Sequence, residues 1–248
     1  MNKNKKGFTL VELLVVIGIL GILMGALFPA ISSAMVKANL SACGMRGRNL
    51  FVAITAANTE REALGLGNVW PKTQAEENAN ASTDPLSSGV SSAQDYFTYL
   101  FDMQNISDAT KWKPYISGVD ISVLSGAGVP ASPNGATKIE GKNCLWSVSA
   151  NITDELPDVF PVLFSRNLPA SQLQPFTTQY NGDSTELSLG KAGGAQYDTP
   201  FGNKAFVLIR KGGGVITQTS KYALSSVIFN KQPYTIESEN PPQFLEPK

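Results

Sequence analysis

Glu12 is the single charge in a run of 21 residues at positions 8–28 (FTLVELLVVIGILGILMGALF). A carboxylate near hydrocarbon costs about 2–3 kcal/mol even on forgiving scales, so an acid placed there calls for a partner. The chemistry on offer is charge pairing. In a low dielectric an amine facing a carboxylate attracts it far more strongly than in water. The competing reading keeps Glu12 close enough to the membrane surface to stay wet.

Other reactive groups are sparse. The chain has no histidine, which removes the commonest general base and the commonest metal ligand. Ser-His-Asp and Cys-His catalysis are excluded, as are most zinc sites. An enzyme would need a carboxylate pair that the sequence does not locate, so no enzyme activity is expected. Cys43 and Cys144 are the two cysteines. Either they bridge, which would close a loop of about 100 residues and contribute about 4–5 kcal/mol in the chain-entropy model, or they stay as buried free thiols. Lys211 and the three glycines after it lack the spacing and the Ser/Thr of a P-loop. Trp112, Tyr115 and Trp146 fit core anchoring better than a ligand groove. Net charge is zero, so no field favours nucleic acid.

These residues must be positioned by a small set of elements. As a helix, residues 8–28 would be about 31 Å long, matching a bilayer core of about 30 Å. Lys3, Lys5 and Lys6 precede the run and should hold that end in the cytoplasm. Pro29 removes a backbone donor, and Gly18, Gly21 and Gly25 weaken the same helix, so residues 21–29 could bend or melt. Gly21 and Gly25 also form a G-x-x-x-G pair that permits close helix contact. Beyond Pro29, Val36, Leu40, Cys43, Gly47, Leu50, Ile54 and Ala57 recur at spacings of four and three, one apolar stripe for a head domain. A helix over 8–58 would be about 76 Å long.

The head reads as α+β. Residues 60–69 should leave the helix, and residues 72–92 read as loop. Ser92 with Asp95 predicts a short helix to about Met103. Strand signals follow at 143–148, at 161–164, and at 204–210 and 215–219 around a glycine-bearing hairpin turn. Residues 222–229 could add a strand. Residues 181–203 look like a mobile surface loop, and the tail from Pro233 should be irregular. The sheet is expected to be antiparallel and packed on the helix.

The stretch Lys6-Gly7-Phe8-Thr9-Leu10-Val11-Glu12 resembles the processing site of type IV prepilins and type II secretion pseudopilins. The resemblance covers residues 1 to about 58. It implies cleavage after Gly7 by a prepilin peptidase, N-methylation of Phe8, and pairing of Glu12 with the terminal amine of a neighbouring subunit. Pro29 lies where many type IV pilins carry a helix-kinking proline. The implied organisation is a leader over 1–7, a transmembrane and filament-core helix over 8–29, its amphipathic continuation over 30–58, and a periplasmic or extracellular head over 59–248. The protein would sit once across the bacterial cytoplasmic membrane with its amino terminus inside. Its partners would be the peptidase and methyltransferase, other pilin-like subunits and the secretion or pilus assembly machinery. The long head favours a pseudopilin or a minor subunit with an enlarged head. No cofactor is expected. Some pseudopilins bind calcium, for which Asp183, Glu186 and Asp198 are the best oxygen ligands, without EF-hand spacing. Two other readings stand beside this one. The stalk could serve only as the anchor of a surface binding module, or a signal peptide could be cut after Ala34, releasing a soluble domain from Met35.

Overall fold

The computed structural model describes residues 9–65, 67–74, 86, 89–101, 115–190 and 200–248. The chain divides into two compact units, Met1–Ala38 and Asn39–Lys248. Helix α1 (Leu10–Ala63) supplies the regular structure described in the first and opens the second. It runs unbroken through Pro29, which has no N–H to offer the Gly25 carbonyl. It also runs five residues past the expected end at Asn58. Residues 60–63 (EREA) contain no helix breaker, and the turn comes only at Gly65, whose φ is +69°. There the amides of Leu64 and Gly65 bond back to the Arg61 and Glu62 carbonyls at 3.0 Å each.

In the second unit the helix face is the one its spacing predicts. Leu40, Cys43, Gly47, Leu50, Ile54 and Ala57 are buried, Val36 at the end of the first unit is half-buried, and Gly44, Phe51 and Ala53 join the buried set. Helix α2 (Ala93–Leu100) starts on Ser92, whose hydroxyl accepts the Asp95 amide at 3.3 Å and donates to the Asp95 carboxylate at 2.6 Å. This is the expected cap. The helix ends at Leu100, short of Met103, which lies outside the described residues.

The remaining elements follow in chain order. They are β1 (Trp146–Ala150), β2 (Pro161–Ser165), α3 (Ala170–Leu173), β3 (Gln179–Tyr180), β4 (Glu186–Ser188), β5 (Ala205–Arg210), β6 (Val215–Thr219), β7 (Tyr222–Leu224), α4 (Ser225–Ile228), β8 (Tyr234–Thr235) and β9 (Gln243–Leu245). The main sheet has the order β6-β5-β2-β1-β9, antiparallel throughout. The β5–β6 hairpin around residues 211–214 is the one expected.

Strands β1 and β2 are buried at every position, and β5 at all but its last. A strand covered on both faces shows no alternation. One face meets α1. A Cβ on Gly47 would stand 2.5 Å from Ile209 Cδ1 and 2.6 Å from Trp146 Cη2, and one on Gly44 would stand 3.2 Å from Thr217 Cγ2. The bare backbone of α1 therefore seats directly on the sheet. On the other face Phe164 meets Phe244 edge-on at 5.6 Å, and Phe244 stacks on Phe160 at 5.7 Å. Further aromatic contacts run on through Tyr234 and Phe229.

Four expectations need correction. Asn143 belongs to a 3-10 turn (Gly141–Asn143), and the strand starts only at Trp146, because the Asn143 and Cys144 amides bond back to the Glu140 and Gly141 carbonyls at 2.9 and 3.2 Å and the Leu145 amide goes to the Leu124 carbonyl at 2.7 Å. Residues 222–229 split into β7 and α4, since Arg210 holds the Val227 and Ile228 carbonyls at 2.5 and 2.8 Å. The stretch 181–203 contains β4, paired with β7; residues 191–199 lie outside the described residues. The tail is not irregular. It forms β8 and then β9, the edge strand paired to β1, because placing Tyr234 and Phe244 in the aromatic layer outweighs the prolines around them.

The end of the tail is pinned further. The Glu246 carbonyl accepts the Ala93 amide at 3.1 Å, its carboxylate accepts the Ala170 amide, and Gln94 exchanges two hydrogen bonds with the Lys248 backbone. Burial pushes the Glu246 carboxyl above its ordinary value, with the Ala170 bond opposing. A carboxyl raised in the fold stabilises fully below its unfolded value, and that contribution is lost as pH rises through the folded one. Glu246→Gln keeps an acceptor for Ala170. In detergent-solubilised full chain it is expected to raise the unfolding midpoint at pH 7 and to leave it little changed at pH 4. A midpoint at pH 7 no higher than wild type would contradict this.

Candidate functional site

At the start of α1 the Thr9 amide and hydroxyl both donate to Glu12 Oε2, at 2.9 and 2.8 Å, and the Glu12 amide donates to Thr9 Oγ1 at 3.3 Å. This is a reciprocal capping box, with Thr9 as N-cap and Glu12 at the third helical position. It satisfies two donors that the helix end would otherwise leave open. The same end of the helix dipole favours a negative charge. Only Oε2 is used; Oε1 accepts no hydrogen bond among the described residues. Glu12 is thus oriented by its own chain with one oxygen left for a second donor. Thr9 was not singled out from sequence, although T-x-x-E before an apolar run is a helix-start signature. Gly7 and Phe8 lie outside the described residues.

Behind Glu12 the helix presents nothing polar to hold. Within the first unit, large apolar residues from Leu10 to Met35 are 47–79% exposed. Ser32 and Ser33 turn their hydroxyls back onto the Phe28 and Pro29 carbonyls at 3.1 and 3.2 Å. Among the described residues α1 is the one helix long and apolar enough to cross a membrane, with a mean hydropathy of 2.7 over its best window. A surface of this kind is made for lipid or for other helices. The carboxylate stands at one end of this bare apolar face.

Among its described residues the head shows no comparable constellation. Three of its cations are spent on backbone carbonyls: Arg46 on Ser125, Arg166 on Gly141 and Cys144, and Lys211 on Asp154 and Leu156. Cys43 and Cys144 are both free and buried. The Cys144 thiol donates to the Trp146 carbonyl, and burial pushes its pKa up to about 12, so it is a poor nucleophile. Trp146 is wholly buried core. Tyr115 lies under the Arg61 guanidinium, 5.3 Å from its ring centre, and Trp112 is outside the described residues. Trp146, fully enclosed, therefore lines no open groove with Tyr115.

Asp183 and Glu186 are exposed. Asp183 uses its carbonyl to accept the Tyr180 and Ser225 hydroxyls at 2.9 and 2.7 Å, and Glu186 is the first residue of β4. Asp198 lies outside the described residues. Among the described residues no three His, Cys, Asp or Glu side chains are grouped to hold a metal. The head does have an open polar cleft of about 880 Å³, with Asn68, Lys72, Gln74, Asp154, Glu239 and Asn240 among its lining.

Residues 2–28 match the prokaryotic N-terminal methylation motif. No curated protein and no solved structure matches the chain. The match ends one residue before Pro29 and contains Gly7, Phe8, Thr9 and Glu12. The chain thus carries the prepilin-type cleavage and methylation signal. That signal implies processing by a prepilin peptidase and assembly with pilin-like subunits in general.

Proposed function

We propose that this prepilin-type chain is a structural subunit, of the pseudopilin kind, in a type II secretion or type IV pilus-like filament. The observation that carries the reading is the conjunction at the amino terminus. A methylation motif over 2–28 leads into an exposed apolar helix whose single acid is held by Thr9 with one oxygen free. After cleavage at Gly7 the amine of Phe8 in one subunit would meet Glu12 in the next. A subunit out of register leaves that charge unpaired, so the pair sets spacing while helix packing supplies cohesion. The subunit waits in the cytoplasmic membrane with its head outside, and its work is mechanical rather than enzymatic.

A second reading has its own support in the polar cleft, whose amide and acid lining suits a hydrogen-bonding ligand. In that case the helix only anchors a surface binding module. Cysteine crosslinking along residues 10–31 in native membranes separates the two. A filament subunit is expected to give a ladder of multimers, and an anchored module only monomer. Absence of any ladder would end the filament proposal.

A further inference from the structure

Within the head unit, the side of α1 turned away from the sheet carries no charge where a solvent face normally would. Residues 49–59 contain no charged side chain. The outward stripe consists of Ala42, Met45, Asn49, Val52, Ala56 and Thr59, all exposed, with Met45 at 67% and Val52 at 56%. Its Thr59 hydroxyl is withdrawn, donating to the Thr55 carbonyl at 3.1 Å, and beside the stripe Thr55 donates to the Phe51 carbonyl at 2.5 Å. Apart from the Asn49 amide the face offers apolar and small side chains, which suit close helix packing.

Two charges flank the stripe. Arg46 is held at Ser125 and Arg61 lies over Tyr115, which leaves exposed Arg48 and Glu60 beside it. They are twelve residues apart, hence about 18 Å along the axis and about 120° around it, one on each side. We propose that this face docks a second copy of the chain, parallel and shifted by that interval, so that Arg48 of one subunit meets Glu60 of another. Since the Phe8–Glu12 pair spans only four residues, about 6 Å, this is a different neighbour in the fibre from the one whose amine meets Glu12. The charge pattern favours a copy over an unrelated partner, because the surface complements itself after a shift. A shifted contact does not close, so it propagates along a fibre. The inference rests on the filament reading and adds a contact made by the head portion of the helix.

The test uses the full chain in native membranes. Arg48→Cys with Glu60→Cys, under mild oxidation, is expected to give a disulfide ladder that neither single variant gives. Arg48→Glu and Glu60→Arg should each lower the ladder formed through residues 10–31 by about tenfold, and the double reversal should restore it. If that ladder forms but the cysteine pair stays unlinked and the reversals are harmless, the docking face is wrong while the filament stands. Linkage to a different protein would overturn the second-copy assignment. If the unaltered helix gives no ladder, both proposals fall.

Discussion

Gly47→Val is expected to lower the stability of the head by about 3 kcal/mol, a fall of about 6–12 °C in the unfolding midpoint of the solubilised chain. Propensity alone argues the other way, since glycine inside a helix is among the least favourable residues. Packing decides the sign. The first added carbon would already overlap Ile209 at 2.5 Å and Trp146 at 2.6 Å. Trp146 cannot swing aside without giving up its bond to the Val123 carbonyl, and Ile209 lies in the buried strand β5. Gly21→Ala makes the contrast, because nothing lies within 4 Å of a Cβ there, and the head midpoint should not move. An unchanged midpoint in Gly47→Val would show that α1 does not seat on the sheet as described.

Glu12→Ala carries the other large effect. Fibre yield from intact cells is expected to fall by at least about a hundredfold, the factor that matches about 2.7 kcal/mol per subunit contact, while the head midpoint stays that of wild type. The carboxylate has two tasks that this substitution removes together: accepting from Thr9 within its chain and, as proposed, accepting the neighbour's amine. Thr9→Val separates them. It removes the hydroxyl half of the cap, which is worth about 1 kcal/mol, and leaves the carboxylate for the amine, so its loss of fibres should be much smaller. Equal losses in the two variants would mean that capping, rather than subunit pairing, is what Glu12 does. Normal fibres with alanine at position 12 would remove the pairing mechanism altogether.

How far the sequence carried depended on how local each signal was. The stripe from Leu40 to Ala57 was legible because an amphipathic helix repeats its pattern over many turns. The β5–β6 hairpin was legible because its glycine-bearing turn sits between two apolar runs. The Ser92 cap could be read from two residues. Strands β8 and β9 could not, since two- and three-residue segments among prolines have no periodicity and form because Tyr234 and Phe244 both reach Phe160. The helix overran Asn58 because residues 60–63 are good helix formers and Gly65 alone supplies the positive φ for the turn. At the amino terminus Glu12 stood out by its charge, whereas Thr9 was passed over because a threonine in an apolar run looks like filler until its hydroxyl is seen on the carboxylate.

The central claim is that this chain is a prepilin-type protein processed for assembly, and the most direct test is the amino-terminal residue of the protein isolated from native membranes, read by mass spectrometry. N-methylated phenylalanine at Phe8, with residues 1–7 gone, is the expected result. An intact Met1 would contradict processing and leave a plain membrane anchor, and a start at Met35 would contradict the anchor as well.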